Sequence, residues 1–339
     1  MRMKINYSFT RFHILTSSHW YMNQLDAAAE ILKQGGLVAI PTETVYGLAA
    51  NAFNEEAVLS IYKTKNRPHF NPLIIHSNSV ERFAEWGIYL PELALKLASE
   101  CCPGPITFVL PSSKKIPDMV TAGHDSVAIR IPNHPLTLEL LGMLDFPLAA
   151  PSANPSTFVS PTSAAHVKQQ LGDKIKCILD GGECQVGIES TIVSFLENTP
   201  RILRYGGLAK EQIENTLGII VNVPQVNGDI SKFIAPGMME RHYAPNKNLI
   251  ICDDMEKELL NHQGHSIGII SFSKKYGNID LKKQFILSPL RNLDEAARHL
   301  FSALRSLNDL DVDIILAEKF PDEGLGIAIN DRLKRASVQ

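Results

Sequence analysis

Polyanions bind where positive charge is left uncancelled, and two stretches of this sequence contain no acidic residue: 57–80, which holds Lys63, Lys65 and Arg67, and 146–172. In the first, KNRPHFNPLIIH, a lysine point charge and an arginine fork stand two residues apart, a spacing suited to clamping different oxygens of a triphosphate. The same cations also fit the C-terminal end of a helix dipole, and His76 at the end of the apolar run fits a core histidine. In SVAIRIP, Val127, Ile129 and Ile131 alternate with Ala128 and Arg130, so a strand here turns Arg130 away from its apolar neighbours. An arginine on a half-buried sheet calls for an anion, either a structural carboxylate or the carboxylate of a substrate.

Hydroxyls cluster in three further motifs. PTETVYGLA (41–49) offers Thr42, Thr44 and Tyr46 beside Gly47, after an apolar run, where open α/β sheets bind ligands at strand carboxyl ends. APSANPSTFVSPT (150–162) sets Ser152, Asn154, Ser156, Ser160 and Thr162 in a donor-rich loop that is either a phosphate cradle or a plain serine and proline turn. GIESTIV and LRYGG bring Ser190, Thr191 and Arg204 onto neighbouring strands, with Arg204 completing a ring of cations.

The elements that must position these residues alternate. Residues 37–40, 73–76, 106–110, 127–131 and 191–195 read as strands. Residues 23–34 form a helix with Leu25, Ala28, Ile31 and Leu32 on one face and Gly35 and Gly36 as its stop; 54–65 opens on a capping Asn54 and ends before Pro68. From about 219 to 245 periodicity fades among Pro224, Gly228, Pro236 and Gly237, a linker. Strands at 248–252, 266–272 and 314–317 and a helix at 293–307 then make a second, smaller α/β unit. The expected division is 20–218, 219–246 and 247–339.

With 339 residues, 45% of them hydrophobic, two cores are expected; the formal charge of −3 excludes a surface that is basic throughout and confines any positive site to a local cleft. Five cysteines, without a paired CxxC arrangement, argue against a zinc site or a disulfide framework. Residues 1–20 lack the continuous apolar stretch of a secretory signal, and no segment has the roughly 20 apolar residues that span a bilayer, so the cytoplasm is expected.

Taken in order, PTETVYGL, the Lys65 and Arg67 of KNRP, NPLIIH, PGPITFVL, SVAIRIP, PSAN, GIESTIV and LRYGG resemble the YrdC family over about residues 35–218. APGMMERHYAP and GLGIAINDRLKRAS are similar to the longer members, threonylcarbamoyl-AMP synthases with a C-terminal Rossmann-like domain. The resemblance implies a twisted mixed sheet with helices around a concave basic cleft, followed by a Rossmann-like α/β domain. It implies synthesis of threonylcarbamoyl-AMP from ATP, L-threonine and bicarbonate, with Mg2+ accompanying ATP and no protein side chain as metal ligand. A tRNA threonylcarbamoyl transferase would act downstream, and weak RNA binding by the basic concavity is a further expectation.

By the same resemblance Lys65 and Arg67 are the catalytic cations. Ser126, Ser152, Asn154, Ser160, Arg204 and Tyr243 join them around ATP, and Thr42, His76, Arg130 and Ser190 surround threonine, with Tyr243 folding back from the linker as part of a lid. Two rival functions are a double-stranded-RNA-binding module and a carbamoyl transferase of hydrogenase maturation, whose paired CxxC motifs this chain lacks. Asn66 and Thr157 stand where the family carries glycine, and Ala235 where it carries serine; a positive φ at the first two positions suits Asn far better than Thr.

Overall fold

The computed structural model describes residues 17–223, 236, 243–277 and 279–338. The first unit runs α1 (Ser17–Lys33), β1 (Val38–Ile40), β2 (Gly47–Asn51), α2 (Glu55–Lys65), β3 (Ile74–His76), α3 (Glu81–Glu85), α4 (Glu92–Cys101), β4 (Ile106–Pro111), α5 (Asp118–Thr121), β5 (Ser126–Arg130), α6 (Pro135–Gly142), β6 (Leu148–Ala149), α7 (Ala164–Leu171), β7 (Cys177–Ile178), β8 (Thr191–Ser194), β9 (Arg201–Arg204) and α8 (Lys210–Leu217). Its nine strands form one mixed sheet in the order β7-β1-β2-β6-β3-β5-β4-β8-β9.

Both faces of this sheet are covered, by different things. Val127, Ile129 and Ile131 point into the main core with Ile75, Phe108 and Val193, as the alternation in SVAIRIP requires. Ala128 joins Ile74, Val109, Ile192 and Leu203 in a small apolar floor on the other face. Every residue of β5 is therefore buried, and the half-exposed sheet expected from the sequence is corrected to one closed on both sides.

The second unit packs against loops of the first. It runs β10 (Asn248–Cys252), α9 (Met255–Asn261), β11 (Ile267–Ser271), β12 (Gln284–Ile286), α10 (Leu293–Asp309), β13 (Ile314–Glu318) and α11 (Leu325–Ser337), and its four strands form a Rossmann-like parallel sheet ordered β10-β13-β11-β12. Its central strands read as unbroken apolar runs because Ile267, Ile269, Ile314 and Leu316 fill one face while Ile270, Ile315 and Ala317 fill the other. On the latter face α10 and α11 form a core that also contains Val45, Val159 and Ile188 of the first unit and Tyr243. The approach is close: Gly187 has φ of +77°, and a Cβ there would meet the Arg298 Cα of α10 at 2.4 Å. No helix among the described residues is long and apolar enough to cross a membrane.

Candidate active site

The turn after β1 is built by Thr42, whose hydroxyl donates to Val45 O at 2.6 Å and accepts from the Thr44 and Val45 amides at 3.2 Å. The serine-rich loop lies against this turn: Gly47 pairs with Ser152, Leu48 N donates to Pro151 O, and Ala153 N donates to Tyr46 O. Lys65, at the end of α2 and 1% exposed, donates its ammonium to the carbonyls of Ser152 and Asn154. Burial first, and Arg67 second, hold its pKa well below the usual lysine range.

One cavity gathers residues from all five motifs: Thr42, Val45 and Gly47; Arg67, Ile74 and His76; Arg130; Ala150, Pro151 and Ser152; Glu189, Ser190 and Arg204; with Pro236 and Tyr243 from the connecting segment. It lies over the apolar floor, across the face of the sheet. Thr42 lies just beyond the carboxyl end of β1, His76, Arg130 and Arg204 are the last residues of β3, β5 and β9, and Ala150 follows β6, so the cavity gathers strand carboxyl ends as well as crossing the sheet face.

Three arginines among the described residues face this cavity. Arg67 is oriented by Asn71 and Pro72, with Nε 3.1 Å from Asn71 O and Nη2 2.7 Å from Pro72 O, and burial lowers its pKa to about 10. Arg204 donates Nη2 to Ser190 O at 2.8 Å and Nη1 to Pro236 O at 3.2 Å. Arg130 Nη2 lies 2.9 Å from Glu43 Oε1, a structural carboxylate that the sequence reading passed over, while the guanidinium also lines the cavity. Arg130 Nε has no hydrogen-bond partner among the described residues. Beside Arg130 in register, His76 is buried, and burial with that neighbouring cation lowers its pKa to about 3, so it is neutral.

Of the expected site residues, Thr42, Arg67, His76, Arg130, Ser152, Ser190, Arg204 and Tyr243 line the cavity. Lys65 and Asn154 stand behind it, Asn154 Nδ2 donating to Pro155 O and Phe158 O at 2.9 and 2.8 Å. Ser126 shares the face of Ala128 and Arg130 at the far end of β5, its buried Oγ without a hydrogen-bond partner among the described residues. Ser160 donates to Glu189 Oε1 at 2.6 Å and so reaches the cavity only through that carboxylate. Tyr46 and Thr44 do not line it; the Tyr46 hydroxyl donates to Gly182 O at 2.7 Å.

Tyr243 is buried, stacks on Phe301 of α10 with centroids 5.3 Å apart, and has its pKa raised to about 12 by burial. It joins the cavity to the second unit. Ala235 and Gly237 lie outside the described residues. Glu189 is a second residue that sequence reasoning missed: it lines the cavity and holds Arg332 of α11 at 2.9 Å. The available signal was an acid inside GIESTIV, in a motif set otherwise poor in acids.

Comparison with known proteins agrees with this architecture. A family model described as telomere recombination matches residues 30–206, and one described as threonylcarbamoyl-AMP synthase, C-terminal domain, matches 208–338. Threonylcarbamoyl-AMP synthase of Pyrococcus abyssi is 43% identical over 91% of this chain and 93% of its own, and that of Bacillus subtilis 40% identical over 93% of each. The crystal structure of Pyrococcus abyssi Sua5 complexed with L-threonine superposes with a TM-score of 0.86 at 42% identity, covering 92% of this chain and 94% of that one. With its mixed-sheet cleft, its parallel second sheet and full-length relatives of this kind, the chain belongs to the threonylcarbamoyl-AMP synthase family.

Proposed function

We propose that the cavity condenses L-threonine, bicarbonate and ATP into threonylcarbamoyl-AMP and pyrophosphate, for transfer of the threonylcarbamoyl group to tRNA by a separate transferase. The observation that carries this reading is the convergence of Arg67, Arg130 and Arg204 with Ser152 and Ser190 on one buried cavity. The threonine amine attacks the carbon of bicarbonate and water is lost; an oxygen of the resulting carbamate attacks the α-phosphorus, and the bond to pyrophosphate breaks. No protein nucleophile is needed, so proximity and fixed charge do the work.

In this reading Arg67 and Arg204 neutralise phosphate oxygens, and Lys65 holds the Ser152–Asn154 backbone that cradles them. Thr42, His76, Arg130 and Ser190 surround threonine, a role supported by the L-threonine complex of the Pyrococcus abyssi protein. Being neutral, His76 adds no charge to a wall already cationic. Ser126, Asn154 and Ser160 serve ATP less directly, through the strand and loop that carry them. Magnesium enters with the nucleotide as MgATP, while Glu43 and Glu189 face arginines. The expected linker and lid at 219–246 lies for the most part outside the described residues; of it, Pro236 and Tyr243 line the cavity.

The family membership favours this reaction over an RNA-holding concavity and over carbamoyl transfer in hydrogenase maturation. The test is pyrophosphate release dependent on both threonine and bicarbonate. Arg67→Ala and Lys65→Ala are each expected to lower turnover by roughly a hundredfold. Unchanged turnover in both would remove the cationic clamp from the mechanism.

A further inference from the structure

Arg332 is 0% exposed, and its guanidinium belongs to α11 of the second unit while two of its partners, Glu189 and Tyr205, belong to the first. Nε donates to Glu189 Oε2 at 2.9 Å and Nη2 to Tyr205 O at 2.8 Å; Nη1 donates to Asp331 at 2.8 Å, and Cζ lies 5.3 Å from the Tyr243 ring centroid. Glu189, whose other oxygen accepts from Ser160, is the one carboxylate on the cavity wall among the described residues. A bare carboxylate there would repel the anions that Arg67 and Arg204 attract, at the low effective dielectric of a buried wall.

We propose that Arg332 is a positioning residue for the reaction: by neutralising and aiming Glu189 across the contact between units, it makes the nucleotide wall cationic, so the affinity of the first unit's cavity for triphosphate depends on a charge carried by the second. Glu189 then keeps Ser160 and the serine-rich loop in register with Arg204. Arg305 of α10 reinforces the same loop, its Nη2 donating to Val159 O at 3.0 Å. The inference rests on reading the cavity as a nucleotide site.

The experiment titrates the full chain with magnesium and α,β-methylene-ATP, whose α–β linkage resists cleavage, and follows folding by thermal melting. Arg332→Met should weaken binding at least tenfold, because the Glu189 charge is left uncompensated. Adding Glu189→Gln in the same chain should restore binding to within about threefold of the starting protein, and Arg332→Lys, which keeps the charge, should stay within about threefold as well. A folded Arg332→Met chain that binds normally, or a double variant as weak as the single, would overturn the proposal and leave Arg332 a mere clamp between units. Should Arg332→Met fail to fold, Glu189→Gln alone decides: with Arg332 now an excess cation beside the wall, binding tightens severalfold, and equal or weaker binding overturns the idea. Pyrophosphate release by the unaltered chain is scored separately; its absence would remove the proposed reaction while the nucleotide titration still stands.

Discussion

Thr157 holds φ of +72°, a left-handed conformation that a β-branched residue occupies only under strain, whereas Asn66 at +52° caps α2 at little cost. Two bonds enforce the Thr157 geometry: Ala244 N donates to Thr157 O at 3.2 Å, and Ser156 N donates to Lys65 O at 2.7 Å. Thr157→Gly is therefore expected to raise stability by roughly 1 kcal/mol in urea denaturation, the strain relieved exceeding the added chain entropy; a loss of stability would refute the strain. His76 makes a different demand. Its folded pKa of about 3 lies below the ordinary 6.5, so between those values the unfolded chain takes up a proton that the folded chain refuses. Stability from this residue is full above pH 6.5 and falls as pH drops through that window. His76→Gln should reduce the slope of stability against pH there by one proton, read from denaturation at stepped pH, and equal slopes would contradict a neutral buried His76.

Helix α2 shows how an element delivers its cations. Asn54 accepts from Ala57 N at 3.1 Å and fixes the start, Asn66 ends the helix in the left-handed region, and Lys65 and Arg67 fall on either side of that stop. Asn54→Ala should cost about 1 kcal/mol, visible as a lower Tm, and an unchanged Tm would mean that tertiary packing alone holds the helix. This helix was legible in the sequence because its signals are local, as were β3, β5 and β8, whose apolar runs are set by burial. Strands β2 and β7 were not: GLAAN and a two-residue CI are strands because a neighbour pairs with them. The candidate site divides the same way. The cations and the serine loop announced themselves by type and spacing, but the carboxylates that orient two arginines are set by pairs distant in sequence, Glu43 with Arg130 and Glu189 with Arg332, the second separated by 143 positions. A single sequence carries no local mark of such a pairing.

At the scale of the whole molecule, the two units meet with little tolerance. Gly187 abuts the backbone of α10, and Arg298 Nε donates to Gln185 O at 2.7 Å just beside it. Gly187→Ala adds a methyl group where only backbone fits, at a φ that disfavours any side chain. It should cost roughly 2 kcal/mol or more in a thermal melt, and a melt like that of the unaltered chain would show that α10 can retreat freely. The connecting segment adds another constraint, through the Pro236 carbonyl held by Arg204. A phosphate oxygen arriving at that guanidinium nitrogen meets an acceptor already in place and enters by exchange. Affinity measured at this cavity is thus the margin between a visiting oxygen and a resident one, so a change confined to the resident would shift nucleotide occupancy with no nucleotide contact altered.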